Sequence, residues 1–229
     1  MVYGELGRFP LIVERKLRIV KYWLKIVHRE LSPLVQKTYR ILLGTASSDF
    51  RIINWAALVR NMLFNLGFGH AWLHQGVTNR GHFISLCKQR LKDQFIQKWF
   101  TSLNTMSSCT LYKNLTLEFQ CNSYFKIVTN CKHRIALTKF RTKNHKLPNV
   151  IQGRGRNRRN YNDRLCSKCN ILGDEYHCIF ECVDTLHIRS ILPKYYTTRP
   201  SMLKLISLLS STTPSVIRKL SKFLYLCQF

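Results

Sequence analysis

The chain has 229 residues, of which 45% are hydrophobic and 12% aromatic, enough to bury a core and to exclude an intrinsically disordered chain. The chain has 37 Lys and Arg residues but only 11 Asp and Glu, which gives a net charge of +26 at pH 7. Repulsion among these charges destabilises the folded chain unless a polyanion neutralises them. Nucleic acid is the common polyanion. Because the positive charge runs along the whole chain, a single amphipathic membrane anchor is disfavoured.

Neither a membrane span nor an export signal is predicted. No stretch approaches the ~20 apolar residues of a transmembrane helix, so we expect no membrane partner. The nine cysteines are an odd number, and the start of the chain, Met1 to Glu5, lacks the charged and apolar segments of a secretory signal. We therefore expect reduced thiols and a nuclear or cytoplasmic protein that is not secreted.

The first long segment with helical periodicity runs from about Leu11 to Leu31. Its apolar side chains recur at steps of three and four, which places them on one stripe. Arg18, Lys21 and Lys25 fall together on another face. For this helix alone, a core stripe with a solvated basic side is the favoured interpretation, and a phosphate-facing surface is the alternative.

Further helices are predicted up to residue 103. A second helix begins after Ser32 and runs to about Leu43, and Gly44 to Asp49 has the composition of a loop. Two more helices cover about 53–66 and 80–103. The last one repeats an apolar or aromatic residue every four positions, which favours core packing over base stacking: Phe83, Cys87, Leu91, Phe95 and Trp99.

Residues 105–130 are less regular, and Tyr124 to Val128 is compatible with helix or strand. A helix is predicted again from Cys131 to about Asn144, with only a thin apolar side formed by Ile135, Leu137 and Phe140. A thinly anchored helix with this charge is expected to contact a polyanion. The basic residues concerned are Lys132, Arg134, Lys139, Arg141 and Lys143, with Lys146 just beyond.

A dense basic segment, Gly153 to Arg159, follows and is called the arginine loop below. It contains too few apolar residues to pack, so a mobile loop is predicted for the unbound chain. Arg154, Arg156, Arg158 and Arg159 can each bind phosphate through two hydrogen bonds. A nuclear localisation signal is the alternative interpretation, and the two are compatible.

The most specific pattern is Cys166-x-x-Cys169, followed by His177 and Cys182. Two thiolates on one tight turn, joined by an imidazole and a third thiolate, are typical of a tetrahedral zinc site. Four protein ligands leave no open position, so one structural Zn²⁺ is predicted rather than a catalytic one. Asn170, Gly173 and Asp174 are turn formers between the ligand pairs. Cys178, next to His177, remains an alternative fourth ligand.

The chain begins with Val2-Tyr3-Gly4-Glu5-Leu6-Gly7-Arg8-Phe9-Pro10-Leu11, and further short motifs follow in order up to Cys182. In this order they resemble the region that follows the polymerase core in reverse transcriptases of animal non-LTR retrotransposons, and the resemblance covers nearly the full length. It continues through Tyr22-Trp23, Trp72-Leu73-His74-Gln75, Gln89-Arg90-Leu91-Lys92-Asp93, Trp99, Arg134, Leu137, Phe140-Arg141, His145, Arg164, Cys166, Cys169, Asp174-Glu175, His177 and Cys182.

This resemblance implies a nucleic-acid-binding and scaffolding extension of the polymerase that ends in a CCHC zinc knuckle. Such a region would hold element RNA or target DNA during target-primed reverse transcription, with the polymerase part of the same element as a further partner. Arg164, which lies within the matched segment, joins the expected nucleic-acid contacts. The chain has no Tyr-x-Asp-Asp motif, the carboxylate pair that binds the catalytic metals of such polymerases. We therefore expect the non-catalytic tail of an element protein, with no catalytic residues.

The predicted fold is mainly α: a helical scaffold, a small zinc-stapled knuckle and C-terminal helices. The expected segments are 1–105 (scaffold), 106–160 (basic helix and loop), 161–190 (knuckle) and 191–229 (a C-terminal helical pair). A second hypothesis from another class is a protein-interaction scaffold organised by zinc, in which the charge is incidental.

Overall fold

The structure, a computed structural model, describes residues 1–48, 51, 53–106 and 109–227. Over these residues the chain is mainly helical, as predicted, and its β pairing is limited to one antiparallel bridge between Leu165 and Leu172. The chain forms two compact units. One spans Phe9–Thr101 and is called the 9–101 unit. The other combines Met1–Arg8 with the chain from Ser102 onward and is called the cysteine-rich unit, because it contains every cysteine except Cys87.

The helices of the described ranges have the following bounds in chain order: α1 Val2–Leu6, α2 Leu11–Val27, α3 Pro33–Ser48, α4 Trp55–Asn65, α5 Gly69–Leu73, α6 Arg80–Thr105, α7 Thr110–Leu115, α8 Tyr124–Ile127, α9 Cys131–Arg141, α10 Pro148–Ile151, α11 Glu175–Phe180, α12 Lys194–Thr197, α13 Met202–Leu209 and α14 Pro214–Leu226. Two 3-10 segments add Tyr161–Asp163 and Val183–Ile191. The segment left open between helix and strand is therefore helical, as α8.

The apolar stripe predicted for α2 forms the core of the 9–101 unit. Val20 and Leu24 are fully buried there, while Arg18, Lys21 and Lys25 are exposed, as the favoured interpretation expected. The helix ends at Val27 rather than near Leu31, and Arg29 adopts a left-handed backbone conformation beyond it. Burial of the stripe on one face therefore leaves a basic, solvated face on the other.

The loop predicted over residues 44–49 is wrong for residues 44–48, since α3 continues to Ser48. Asp49 lies outside the described residues. Tertiary contacts override the loop composition here. Ala46 is fully buried, and its carbonyl accepts a hydrogen bond from Arg60 Nη1 (2.6 Å), while the Thr45 hydroxyl accepts one from Asn54 Nδ2 (2.9 Å).

The four-residue repeat of α6 packs as predicted. Phe83, Cys87, Leu91 and Trp99 are buried, and Phe95 is half-buried against Phe9, with ring centroids 5.7 Å apart. These rings contribute to the protein interior and are not available to stack on bases.

The core of the cysteine-rich unit combines α9, α11, α13 and α14. Leu137 and Phe140 of α9 are completely buried in this core, and Phe223 and Leu224 of α14 lie in the same cluster. Ile135, by contrast, is 53% exposed. The expectation of a thinly anchored α9 is therefore wrong, because Leu137 and Phe140 are completely buried and Ala136 is buried beside them.

The first residues of the chain are built into this unit. Glu5 is 1% exposed and forms an ion pair with Arg141, with both nitrogen–oxygen distances at 3.2 Å. Tyr124 donates its hydroxyl to Glu5 Oε2 (2.5 Å). Arg141 is 2% exposed, so its assignment as a nucleic-acid contact is corrected: a buried charge is stable only with its partner and cannot face a phosphate.

Candidate metal centre and basic cleft

Four side chains of the cysteine-rich unit converge at one point, which is called the Cys3His cluster. The ligand atoms of Cys166, Cys169, His177 and Cys182 all lie within 4.8 Å of one another. These are the four ligands predicted from the sequence. The structure brings the complete set together, and the cluster could hold a metal ion.

The sulfur separations fit shared coordination rather than a disulfide. Cys182 Sγ lies 3.9 Å from Cys166 Sγ and 4.0 Å from Cys169 Sγ. A disulfide requires about 2.05 Å. Thiolates bound at ~2.3 Å at the corners of a tetrahedron lie ~3.8 Å apart, which matches the observed spacing.

Local backbone geometry positions the two halves of the cluster. The bridge between Leu165 and Leu172 closes a hairpin around Cys166 and Cys169, and Asn170 completes its turn in a left-handed conformation (φ 52°). The side chain of Asp174 then accepts a hydrogen bond from the backbone N–H of His177 (2.9 Å) and caps α11. Both residues were predicted as turn formers, and they place the second ligand pair opposite the first.

The environment of His177 provides an independent test of whether the Cys3His cluster suits a metal ion. Its ring is buried, and neither ring nitrogen has a hydrogen-bond partner among the described residues. Nδ1 lies 3.5 Å from Glu181 Oε2, at ion-pair distance but without hydrogen-bond geometry. A buried imidazole without partners is costly, whereas a metal ion would satisfy one nitrogen and a nearby carboxylate could orient the ring. The donor set therefore fits a metal.

Cys178 is not part of the Cys3His cluster. Its side chain is buried with Ile179 and Phe180 in the apolar core, and this burial raises the pKa of its thiol well above the usual value. Cys178 therefore contributes to packing, and Cys182 is the residue whose thiol lies with the other three candidate ligands.

The thiols of the cluster differ in acidity. Burial raises the pKa of Cys166, but hydrogen bonds from the backbone N–H groups of Lys168 and Cys169 outweigh it and, with the Cys182 side chain, lower this pKa to about 7. Burial and the neighbouring Cys166 raise the pKa of Cys182 to about 11. Backbone N–H donors therefore favour the Cys166 thiolate, whereas burial and the Cys166 charge disfavour the Cys182 thiolate, and a bound cation would favour both thiolates.

The arginine loop lines a cleft of about 940 Å³ together with residues of α7, α10, α11 and α13, and this cleft is called the Tyr161 cleft. Four of the predicted basic residues lie on its wall: Lys143, Arg154, Arg158 and Arg164. Tyr161 lies among them, with Arg164 5.6 Å and Lys143 5.8 Å from its ring centroid. Two cations thus lie over the Tyr161 ring, and two more line the same cleft.

Hydrogen bonds hold this wall in place. Arg164 donates from Nη1 to the Asn149 carbonyl (2.8 Å) and from Nε to the Arg159 carbonyl (3.1 Å). The Arg159 N–H donates to the Gln152 carbonyl (2.7 Å) and closes the arginine loop. The loop is therefore a hydrogen-bonded turn whose side chains at 154, 156, 158 and 159 are exposed.

A buried carboxylate organises the inner side of the cleft. Glu175 Oε1 contacts His145 Nε2 (3.0 Å), and Glu175 Oε2 accepts from Asn149 Nδ2 (2.8 Å). Burial raises the pKa of Glu175, but the His145 hydrogen bond and the Lys143 charge lower it below the usual value. Glu175 is therefore an ionised structural anchor.

The remaining predicted contacts lie elsewhere. Lys132 is exposed on α9, Lys139 is half-buried, and Arg134 donates to the Val128 carbonyl (3.1 Å). None of these three lines the Tyr161 cleft. Sequence reasoning missed Tyr161, although its position two residues after the arginine loop was a usable signal, because aromatic rings beside basic runs are common in nucleic-acid sites.

Comparisons with known proteins leave the chain without an assigned family. No family model matches it, and neither the curated proteins nor the solved structures include a significant match. Among the described residues, no helix is both long and apolar enough to cross a bilayer.

Proposed function

We propose that the chain is a nucleic-acid-binding module, in which one structural Zn²⁺ in the Cys3His cluster stabilises a basic surface formed by the arginine loop and the Tyr161 cleft. Three sulfurs and one imidazole with no oxygen ligand are the donor set that zinc prefers in structural sites. The observation that carries the binding proposal is the collection of Lys143, Arg154, Arg158 and Arg164 around one cleft.

The resemblance to non-LTR retrotransposon reverse transcriptases specifies the proposal further. The chain would hold RNA or target DNA during target-primed reverse transcription, in the nucleus or cytoplasm, beside the polymerase part of the same element. The zinc ion would supply folding energy alone, since its four positions are filled by protein. Asp174 and Glu175, the adjacent acidic pair, are engaged in helix capping and in the His145 contact, which supports a role without catalysis.

Salt dependence of binding tests the proposal. Affinity for a single-stranded RNA is measured over a range of salt for the native chain and for a variant with Arg154, Arg156, Arg158 and Arg159 all replaced by Gln. Each phosphate contact contributes about 0.7 to the slope of log affinity against log salt, so the variant is expected to lose about 3 from this slope. The loss should be similar for all base sequences, because phosphate contacts carry no base information.

The 9–101 unit offers a charge-matched control. Arg15, Arg18, Lys21 and Lys25 are exposed on α2, and their replacement by Gln removes the same charge from the other unit. This control should change the slope much less. Equal losses in the two variants would contradict a localised site, and salt-independent binding by the native chain would favour the zinc-organised protein scaffold instead.

A further inference from the structure

The Tyr161 cleft contains an aromatic ring that neither packing nor catalysis explains. Tyr161 is 45% exposed, whereas Tyr112 and Tyr124 of the same unit are buried in its interior. The residue forms part of the short 3-10 segment between the arginine loop and the metal-binding hairpin. Lys143 and Arg164 lie over the ring at 5.8 and 5.6 Å from its centroid, and part of the side chain remains accessible to solvent.

The size of the cleft limits what can enter it. The volume of about 940 Å³ leaves room for a nucleotide, and a base can lie against the Tyr161 ring only after it has left the stack of a duplex. A single unpaired nucleotide fits this space. The duplex or the remaining strand would lie outside.

The charged side chains on the wall of the cleft indicate how a bound nucleotide would be oriented. Arg154 and Arg158 are exposed and belong to the arginine loop, where they can bind phosphates. Glu175 lies on the inner side, where its carboxyl oxygens contact His145 Nε2 and accept from Asn149 Nδ2, so this side offers a phosphate no free donor from either group. A nucleotide is therefore most stable with its phosphate toward the arginine loop and its base toward the Tyr161 ring.

We infer that the Tyr161 cleft binds one unpaired nucleotide of RNA or single-stranded DNA, with the base stacked on Tyr161 and the flanking phosphates bound by Arg154 and Arg158. This inference rests on the proposed function and adds the strandedness of its ligand. Base stacking on an aromatic side chain tolerates every base, so the cleft discriminates paired from unpaired strands and does not read sequence.

The test compares Tyr161→Ala, Tyr161→Phe and Tyr195→Ala. Tyr195 is a matched control, because it is 69% exposed in the same unit, has Lys204 Nζ 4.9 Å from its ring centroid and lies outside the cleft. Affinities are measured for a single-stranded RNA, a single-stranded DNA and a blunt duplex at one salt concentration. Tyr161→Ala should lose on the order of tenfold on both single strands and little on the duplex. Tyr161→Phe and Tyr195→Ala should bind like the native chain.

A second measurement on the native chain guards against misfolding of the variant. Abasic sites in the single strand keep its phosphates but remove its bases, and they should weaken binding by a similar factor. If Tyr161→Ala and abasic strands both bind as tightly as their controls while salt dependence persists, the nucleotide pocket is wrong and the proposed function stands. If the native chain binds none of the strands, both fail. The affinities for the single-stranded RNA and the single-stranded DNA show whether the cleft prefers ribose or deoxyribose.

Discussion

The two units of this protein differ in what their interiors contain. In the described part of the 9–101 unit, the buried charged side chain is Arg60, which donates to a backbone carbonyl within the same unit. The cysteine-rich unit buries Glu5, Arg141 and Glu175, together with the Cys3His cluster. Apolar burial stabilises the first unit largely without specific partners, whereas each buried charge or ligand of the second is favourable only when its partner is present.

Removal of the metal should reveal the largest difference in stability between the two units. Structural zinc sites contribute ~10–16 kcal/mol to the folding of small peptides, so chelation or Cys166→Ser should unfold the hairpin and α11. Hydrogen exchange resolved along the chain should show loss of protection there and retained protection in α2, α4 and α6. Because Ile179 and Phe180 of α11 belong to the larger core, we expect the loss to extend to α14.

Cys131→Ser is the control for this experiment, since Cys131 is exposed and lies outside the cluster. It should retain bound metal and native protection. A purified chain that contains no metal and shows no response to chelators would contradict the metal assignment.

The buried ion pair gives the next largest expected effect. Glu5→Gln leaves Arg141 buried without its counter-charge, and we expect the free energy of unfolding of the cysteine-rich unit to fall by about 3–5 kcal/mol in denaturant titrations. Adding Arg141→Met should recover part of this loss, because the isolated charge is then removed.

The matched control is the Arg80–Glu30 pair in the 9–101 unit, whose side chains are 32% and 42% exposed. Arg80→Gln should cost at most about 1 kcal/mol, since water screens an exposed pair. Equal costs for Glu5→Gln and Arg80→Gln would show that the two units do not differ in their dependence on paired charges.

The smallest expected effect is a stabilisation. Gly44 lies inside α3, and an added Cβ would meet no atom within 4 Å, so Gly44→Ala should raise the stability of the 9–101 unit by about 0.5–1 kcal/mol in thermal unfolding. Gly7→Ala is the contrasting variant. Gly7 has φ +58°, and its Cβ would lie 2.3 Å from the Cys121 nitrogen, so this change should destabilise the cysteine-rich unit. A destabilising Gly44→Ala would contradict the helical extension of α3.

Local patterns were enough to predict the long helices α2, α3, α4, α6 and α9 and the four members of the Cys3His cluster. The repeat of α6 and the stripe of α2 reflect periodic burial, which depends on neighbours three and four residues away. The end of α3 was mispredicted because the burial of Ala46 and its hydrogen bond from Arg60 outweigh a loop-like composition. Both effects depend on residues outside the segment whose composition was considered. The four expected segments were likewise drawn from composition, whereas the structure places residues 1–8 with the chain from Ser102 onward.

The amino-acid sequence alone determined the chemistry of the Cys3His cluster and the excess of positive charge, because ligand type, ligand spacing and charge are properties of short segments. Tertiary structure decided which basic side chains remain available: it buries Arg141 against Glu5, 136 residues away, and places Lys143, Arg154 and Arg158 on the wall of the Tyr161 cleft. Burial and proximity depend on the packing of distant segments, and no local pattern in the chain specifies them.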